Sequence, residues 1–358
     1  MIPSITVEAL EARLREAAAR NAPGVVFGAL WNDGTILLRS AGVSDLRTRR
    51  EISPAMPLAW FSITKLFTAT AVLRLWEAGR LDLDAPATRW LPEVRLAKDG
   101  REATVRNLLS HTAGLSNPVP VSWIHLENET GPGLDALVAR VVGQRPHLAF
   151  RPGDRFSYSN LGYLLLGQII ERVSGEKFEA HLQRSVLQPL GCERTGFAVP
   201  PDEATGHQRR LSLMGLAARW MLDSRFFEER VGGYWPLRRF TLDGAPYGGL
   251  IGPVRDLLRL GQMVLAGGMG ERARVLQERS VQQMLRPAKS TAGRDLPIGL
   301  GWHLGGEGDR AFACHLGGGG GYRSELRIYP ALGHAAAVLG TETSFPTQAF
   351  TRLVVNRP

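Results

Sequence analysis

The sequence predicts an α/β (α+β) fold, with one antiparallel sheet built from both chain ends, flanked by helices and interrupted by a helical middle. Three observations carry this. Apolar and β-branched runs bounded by turn residues occur near both ends, at 24–41 and at 300–340. Asn32-Asp33-Gly34, set between the first two runs, is a strong hairpin signal. From Ser62 to about residue 290 the apolar spacing turns helical, with Gly and Pro as punctuation.

Taken in order, 7–20 spaces Leu10 and Leu14 on one face of an amphipathic helix. Strands are expected at 24–31 and 35–41, and 53–60 leads to a helix opening near Ser62 and stopping at Gly79. Further helices are expected at 105–110, 134–142, 161–173, 177–187 and 254–266. Gly175, Gly191 and Gly267-Gly268 stop three of them. Strand character returns at 300–304, 322–329 and 333–340.

A chain of 358 residues can bury a large core, and 44% hydrophobic with 22% charged residues is ordinary for a globular protein. The net charge of +9 comes from scattered arginines, whereas a nucleic-acid reader concentrates its charge, so no nucleic-acid partner is expected. The excess reads as solvated surface or as mild steering of anionic substrates. Cys192 and Cys314 offer no metal spacing and read as buried small side chains. There is no His-Glu-x-x-His, so no metal or cofactor is expected. The first residues hold no apolar leader, and no run reaches the ~20 apolar residues of a spanning helix. The expected location is cytoplasmic, with no integral membrane segment.

Chemistry concentrates in three stretches. Ser62 and Lys65 stand at i and i+3 at a helix start, which holds an amine against a hydroxyl at the positive end of the dipole. A neutral lysine there is a base for a serine nucleophile. Tyr158-Ser159-Asn160 sits in the second stretch, and His315-Leu316-Gly317-Gly318 opens a glycine run in the third.

Ser-x-x-Lys, Tyr-x-Asn and a basic residue-x-Gly, in that order, resemble the class C β-lactamase-like serine hydrolases. That family comprises penicillin-recognising enzymes, β-lactamase-like carboxylesterases and D-amino-acid peptidases. Leu108–Leu115 and Gly248-Gly249-Leu250 look like further landmarks, and the resemblance spans roughly 20–345. It implies a β-lactamase/transpeptidase-like architecture. An α/β lobe would take 1–65 and 290–358, a mainly helical lobe 66–289, with the active site between them.

The resemblance makes Ser62 the nucleophile, Lys65 its base and Tyr158 a second base whose proton Lys65 would share. Asn160 would hold Lys65 and meet the substrate. Gly317 and Gly318 would pair with it, and the Gly318 and Ser62 N–H groups would form an oxyanion hole. His315 replaces the lactamase lysine and is mostly neutral above its ordinary pKa of about 6.5, which disfavours β-lactams. An arginine such as Arg209 or Arg210 is a candidate substitute cation. The other histidines, His111 and His303 included, read as structural.

The expected activity is acyl-enzyme hydrolysis of small to medium carboxylic esters. A D-amino-acid peptidase or amidase, a weak β-lactamase and a non-catalytic binding protein on this scaffold are the alternatives. The partner is then a small-molecule ester, amide or lactam, and oligomeric state is not legible. Residues 206–240 are the least family-like. Leu211, Met214, Leu216, Trp220, Met221, Phe226 and Phe227 there alternate with Arg219 and Arg225. Lobe packing, a lid or acyl pocket, and a membrane-surface helix all fit that pattern.

Overall fold

The structure, a computed structural model, describes residues 6–118, 122–144 and 147–355. The reading of Met1 to Ile5 and the side chain of Met214 lie outside them. The main sheet has six strands: β1 (Gly24–Leu30), β2 (Ile36–Gly42), β3 (His303–Gly305), β4 (Phe312–Gly319), β5 (Tyr322–Tyr329) and β6 (His334–Gly340). Their spatial order is β3-β4-β5-β6-β1-β2, all antiparallel, so β6 from one chain end pairs with β1 from the other. The expected sheet of both chain ends is present.

β1 is buried along its whole length because both faces are covered. Val25, Phe27 and Ala29 pack with Leu10, Leu14 and Ala17 of helix α1 (Val7–Arg20) and with Phe350 and Val354. Val26 and Leu30 point the other way, into the main core. At Gly28 on that face a Cβ would fall 2.7 Å from Leu258, so helix α5 (Val254–Leu265) lies flush on the sheet. The larger core continues from there into helix α2 (Thr64–Glu77), of which residues 64–73 are all buried.

Three further elements frame the site. Helix α3 (Asn160–Ser174) packs beside α2. A short ribbon pairs Ile124–Leu126 with Phe240–Leu242. Helix α4 (Leu213–Met221) follows a strand at His207–Arg209 and is capped by Ser212, whose Oγ accepts from the Gly215 N–H at 2.9 Å. No helix among the described residues is long and apolar enough to cross a membrane.

Candidate active site

Ser62 occupies a 3₁₀ turn, Phe61–Ile63, and α2 proper begins two residues later at Thr64. Phe61 has φ +50°, a left-handed backbone rare for a bulky residue. Its ring packs against Phe240 and Tyr322, at 6.3 and 6.1 Å between centroids. The preceding residue is clamped as well. The Trp60 N–H donates to Leu250 O at 2.9 Å, and Trp60 O accepts from Ser324 Oγ at 2.7 Å. Strand β4 runs so close that a Cβ on Gly317 would lie 2.0 Å from Trp60 O. Any side chain at 317 would push the strand away from the serine turn.

The three sequence stretches converge here. Ser62 Oγ accepts from Lys65 Nζ at 3.0 Å and from the Tyr158 hydroxyl at 2.7 Å. Lys65 is fully buried, and its amine also donates to Tyr247 O at 2.7 Å. The rings of Tyr158, Tyr247 and Tyr163 surround it, with centroids 5.0, 5.3 and 5.6 Å from Nζ. Burial pushes the Lys65 pKa well below the ordinary lysine value, which favours the neutral amine. Burial also raises the Tyr158 phenol, which the hydrogen bond to Ser62 only partly offsets. Tyr158, expected as a second base, is held here in its phenol form. Tyr158 stands as a protonated donor toward Ser62 Oγ.

Tyr158 ends an extended segment just before α3, whose cap fixes it. The Ser159 N–H donates to His111 Nδ1 at 3.1 Å, and Ser159 Oγ donates to Ser116 O at 3.0 Å. Asn160 is thus the first helical residue rather than part of a loop, and its N–H donates to Asn117 Oδ1 at 2.9 Å. Its expected hold on Lys65 is taken by the Tyr247 carbonyl. Asn160 Oδ1 is buried without a hydrogen-bond partner among the described residues, and Asn160 lines the same cavity as Ser62.

His315 also departs from expectation. Its Nδ1 lies 2.8 Å from Leu316 O, which can only accept, so Nδ1 carries the proton. The side chain is buried, 5.1 Å from the His303 ring and 6.2 Å from the Tyr158 ring. Burial, then the neighbouring His303 and Lys65, push its pKa well below 6.5. Burial thus favours its neutral form, where a lysine in its place would ordinarily be a cation. Arg209 donates to Arg20 O and reaches Tyr234, and neither Arg209 nor Arg210 lines the cavity. Neither replaces the missing charge.

His303 and Tyr247 were not legible as site residues. His303 pairs with Cys314 of β4 and stacks on Tyr158 at 6.4 Å, and Tyr247 acts through its backbone. The nearby Gly248-Gly249 landmark was the signal available for Tyr247. His111 keeps a structural role, as expected, by accepting from the cap of α3.

Above Ser62 opens a cavity of about 260 Å³. Ser62, Asn160 and the Gly318–Gly320 backbone form its polar side. Its apolar side is Phe61 and Ile124 with Ala217, Ala218, Met221 and Phe226 of the 206–240 segment. A serine hydroxyl, a buried amine and a phenol donor thus meet an apolar slot. That arrangement suits acyl transfer from a substrate with an apolar acyl group.

Comparison with known proteins agrees in scope. The Beta-lactamase family model matches residues 7–354. Penicillin-binding protein 4 of Amycolatopsis lactamdurans is 28% identical over 348 residues, covering 93% of this chain and 85% of that protein. Esterase EstB of Burkholderia gladioli is 37% identical over 182 residues, 48% of this chain and 46% of the esterase. D-amino acid amidase from Ochrobactrum anthropi SV3 shares the fold, with a TM-score of 0.80 at 23% identity and 98% and 97% of the two chains covered. On the match across nearly its whole length, this chain belongs to the Beta-lactamase family of serine hydrolases.

Proposed function

We propose that the protein is a cytoplasmic carboxylesterase that forms an acyl-enzyme on Ser62 with small to medium apolar acyl groups. One observation carries this: Ser62 Oγ is held by Lys65 and Tyr158 on the floor of a cavity whose far wall is apolar. Ser62 Oγ attacks the ester carbonyl carbon while its proton passes to the neutral Lys65 amine. The Ser62 and Gly318 N–H groups receive the tetrahedral oxyanion. Collapse breaks the bond to the alcohol oxygen, which takes a proton from Tyr158 or Lys65. Water then repeats the sequence to release the acid. Cys192 and Cys314, both free and buried, suit a reducing compartment.

A penicillin presents a carboxylate, and the neutral His315 offers it no charge, which favours esters over lactams. The amidase reading has one observation in its favour, the unpartnered Asn160 Oδ1, which could accept from a substrate N–H. The test compares kcat/KM for nitrophenyl acetate, butyrate and octanoate with a D-amino-acid anilide and a penicillin. Ester values should rise by about fourfold per methylene until the cavity is full, at about 0.8 kcal/mol each. They should exceed the values for anilide and penicillin. Faster turnover of either nitrogen substrate overturns the ester preference.

A further inference from the structure

The inner face of α4 walls the cavity through Ala217, Ala218 and Met221, but among the described residues nothing covers its outer face. Leu213, Leu216 and Trp220 follow the i, i+3, i+7 spacing of one helical face and are 87%, 57% and 88% exposed. Leu211, just before the helix, is 79% exposed. Five of the seven exposed large hydrophobic side chains among the described residues lie in 211–221. Singly scattered apolar residues need no explanation, but this concentration is a surface. The helix is firmly seated rather than displaced. A Cβ on Gly215 would lie 1.8 Å from Arg209 O, and Ser212 Oγ donates to that same carbonyl at 3.1 Å.

The charge around this face selects its occupant. Residues 206–240 hold seven arginines against three carboxylates. Among the described residues neither Arg210 nor Arg219 has a carboxylate within ion-pair distance, and Arg219 stays beside the patch with its guanidinium 5.2 Å from the Phe227 ring. Asp223 is engaged with Arg225, and Glu228 with Arg47 and Arg238. A second copy docked here would bring like charges into one interface. A surface of anionic headgroups over acyl chains satisfies both the guanidiniums and the apolar side chains, with Trp220 at the boundary.

We propose that the outer face of α4 docks the protein on an anionic lipid surface. Leu213, Leu216 and Trp220 enter the acyl boundary, and Arg210 and Arg219 meet the headgroup phosphates. The cavity lies on the opposite side of the same helix, so docking brings the acyl slot beside the membrane. The docking itself does not depend on the ester reading.

The test uses the full chain carrying Ser62→Ala, so that turnover cannot alter the lipid. Co-sedimentation is measured with vesicles of phosphatidylcholine and phosphatidylglycerol at about three to one, and with pure phosphatidylcholine. Binding to the anionic vesicles is expected to exceed that to the neutral ones by at least about tenfold and to weaken with salt. Adding Leu213→Ser with Trp220→Ser should cut it at least about tenfold while the Tm stays unchanged, because both side chains are solvent-exposed. Arg219→Gln, which leaves the apolar face intact, should weaken only the anionic preference. Absence of binding, equal binding by the serine variant, or light scattering that shows a dimer dispersed by those serines would overturn the proposal. The last result would assign the face to a second copy.

Discussion

The two walls of the Ser62 cavity are built on opposite principles. The polar side is backed by Lys65 and His315, which are buried, and by Tyr158, and aromatic rings or backbone groups contact these side chains. The 206–240 wall is an apolar slot side on α4, which is seated on Arg209 and capped by Ser212 with its outer face in solvent. A buried polar network tolerates little change, since each unpaired group costs about 1–3 kcal/mol. An apolar wall tolerates changes of size readily. On the proposed acyl-enzyme reading, the difference teaches that the first wall would carry the reaction and the second would choose the acyl group. Each should therefore fail in its own way.

The largest effect is expected on the polar wall. Tyr158→Phe removes the hydroxyl that donates to Ser62 Oγ at 2.7 Å and keeps the ring against Lys65. Ester kcat should fall by about 10²–10⁴ for short and long acyl chains alike. Near-normal turnover, or a loss confined to long chains, would erase the distinction between the walls.

A smaller and selective effect is expected on the other side. Ala218→Phe places a ring in the slot. Octanoate kcat/KM should fall at least about tenfold while acetate changes no more than about threefold, because the lost contacts are those of the distal methylenes. Equal losses would mean that α4 supports the chemistry as well as the fit.

The smallest effect concerns pH. A histidine with a depressed pKa gains charge only as pH falls through its folded value, and for His315 that lies well below 6.5. The ratio of penicillin to ester turnover should change by less than about twofold between about pH 6 and pH 8. If Lys65, depressed in the same way, is the base as proposed, it acts when neutral, and ester turnover should fall only on the acid side of its lowered pKa. A penicillin preference that grows toward pH 6 would place a titrating cation in the site.

Much of this was legible in the sequence because it is local. The i, i+3 spacing of Ser62 and Lys65, the Asn32-Asp33-Gly34 hairpin and the strand character of β5 and β6 depend on nearby residues. β4 was harder, since its Gly317–Gly319 end carries little strand propensity and is held by pairing with β5. The helical spacing of 254–266 was plain, but its place on the sheet beside Gly28 is a long-range contact. The protonation states of Lys65, Tyr158 and His315 were out of reach for the same reason. Burial sets them, and burial comes from Tyr247, Tyr163 and His303, all distant in the chain.

The central proposal is that Ser62 becomes acylated. Incubation with an activated nitrophenyl ester, rapid acid quench and peptide mapping by mass spectrometry test this directly. One acyl adduct per chain is expected, on the peptide that contains Ser62, and Ser62→Ala should lose both adduct and turnover. An adduct on another residue, with Ser62→Ala still turning over ester, would contradict it.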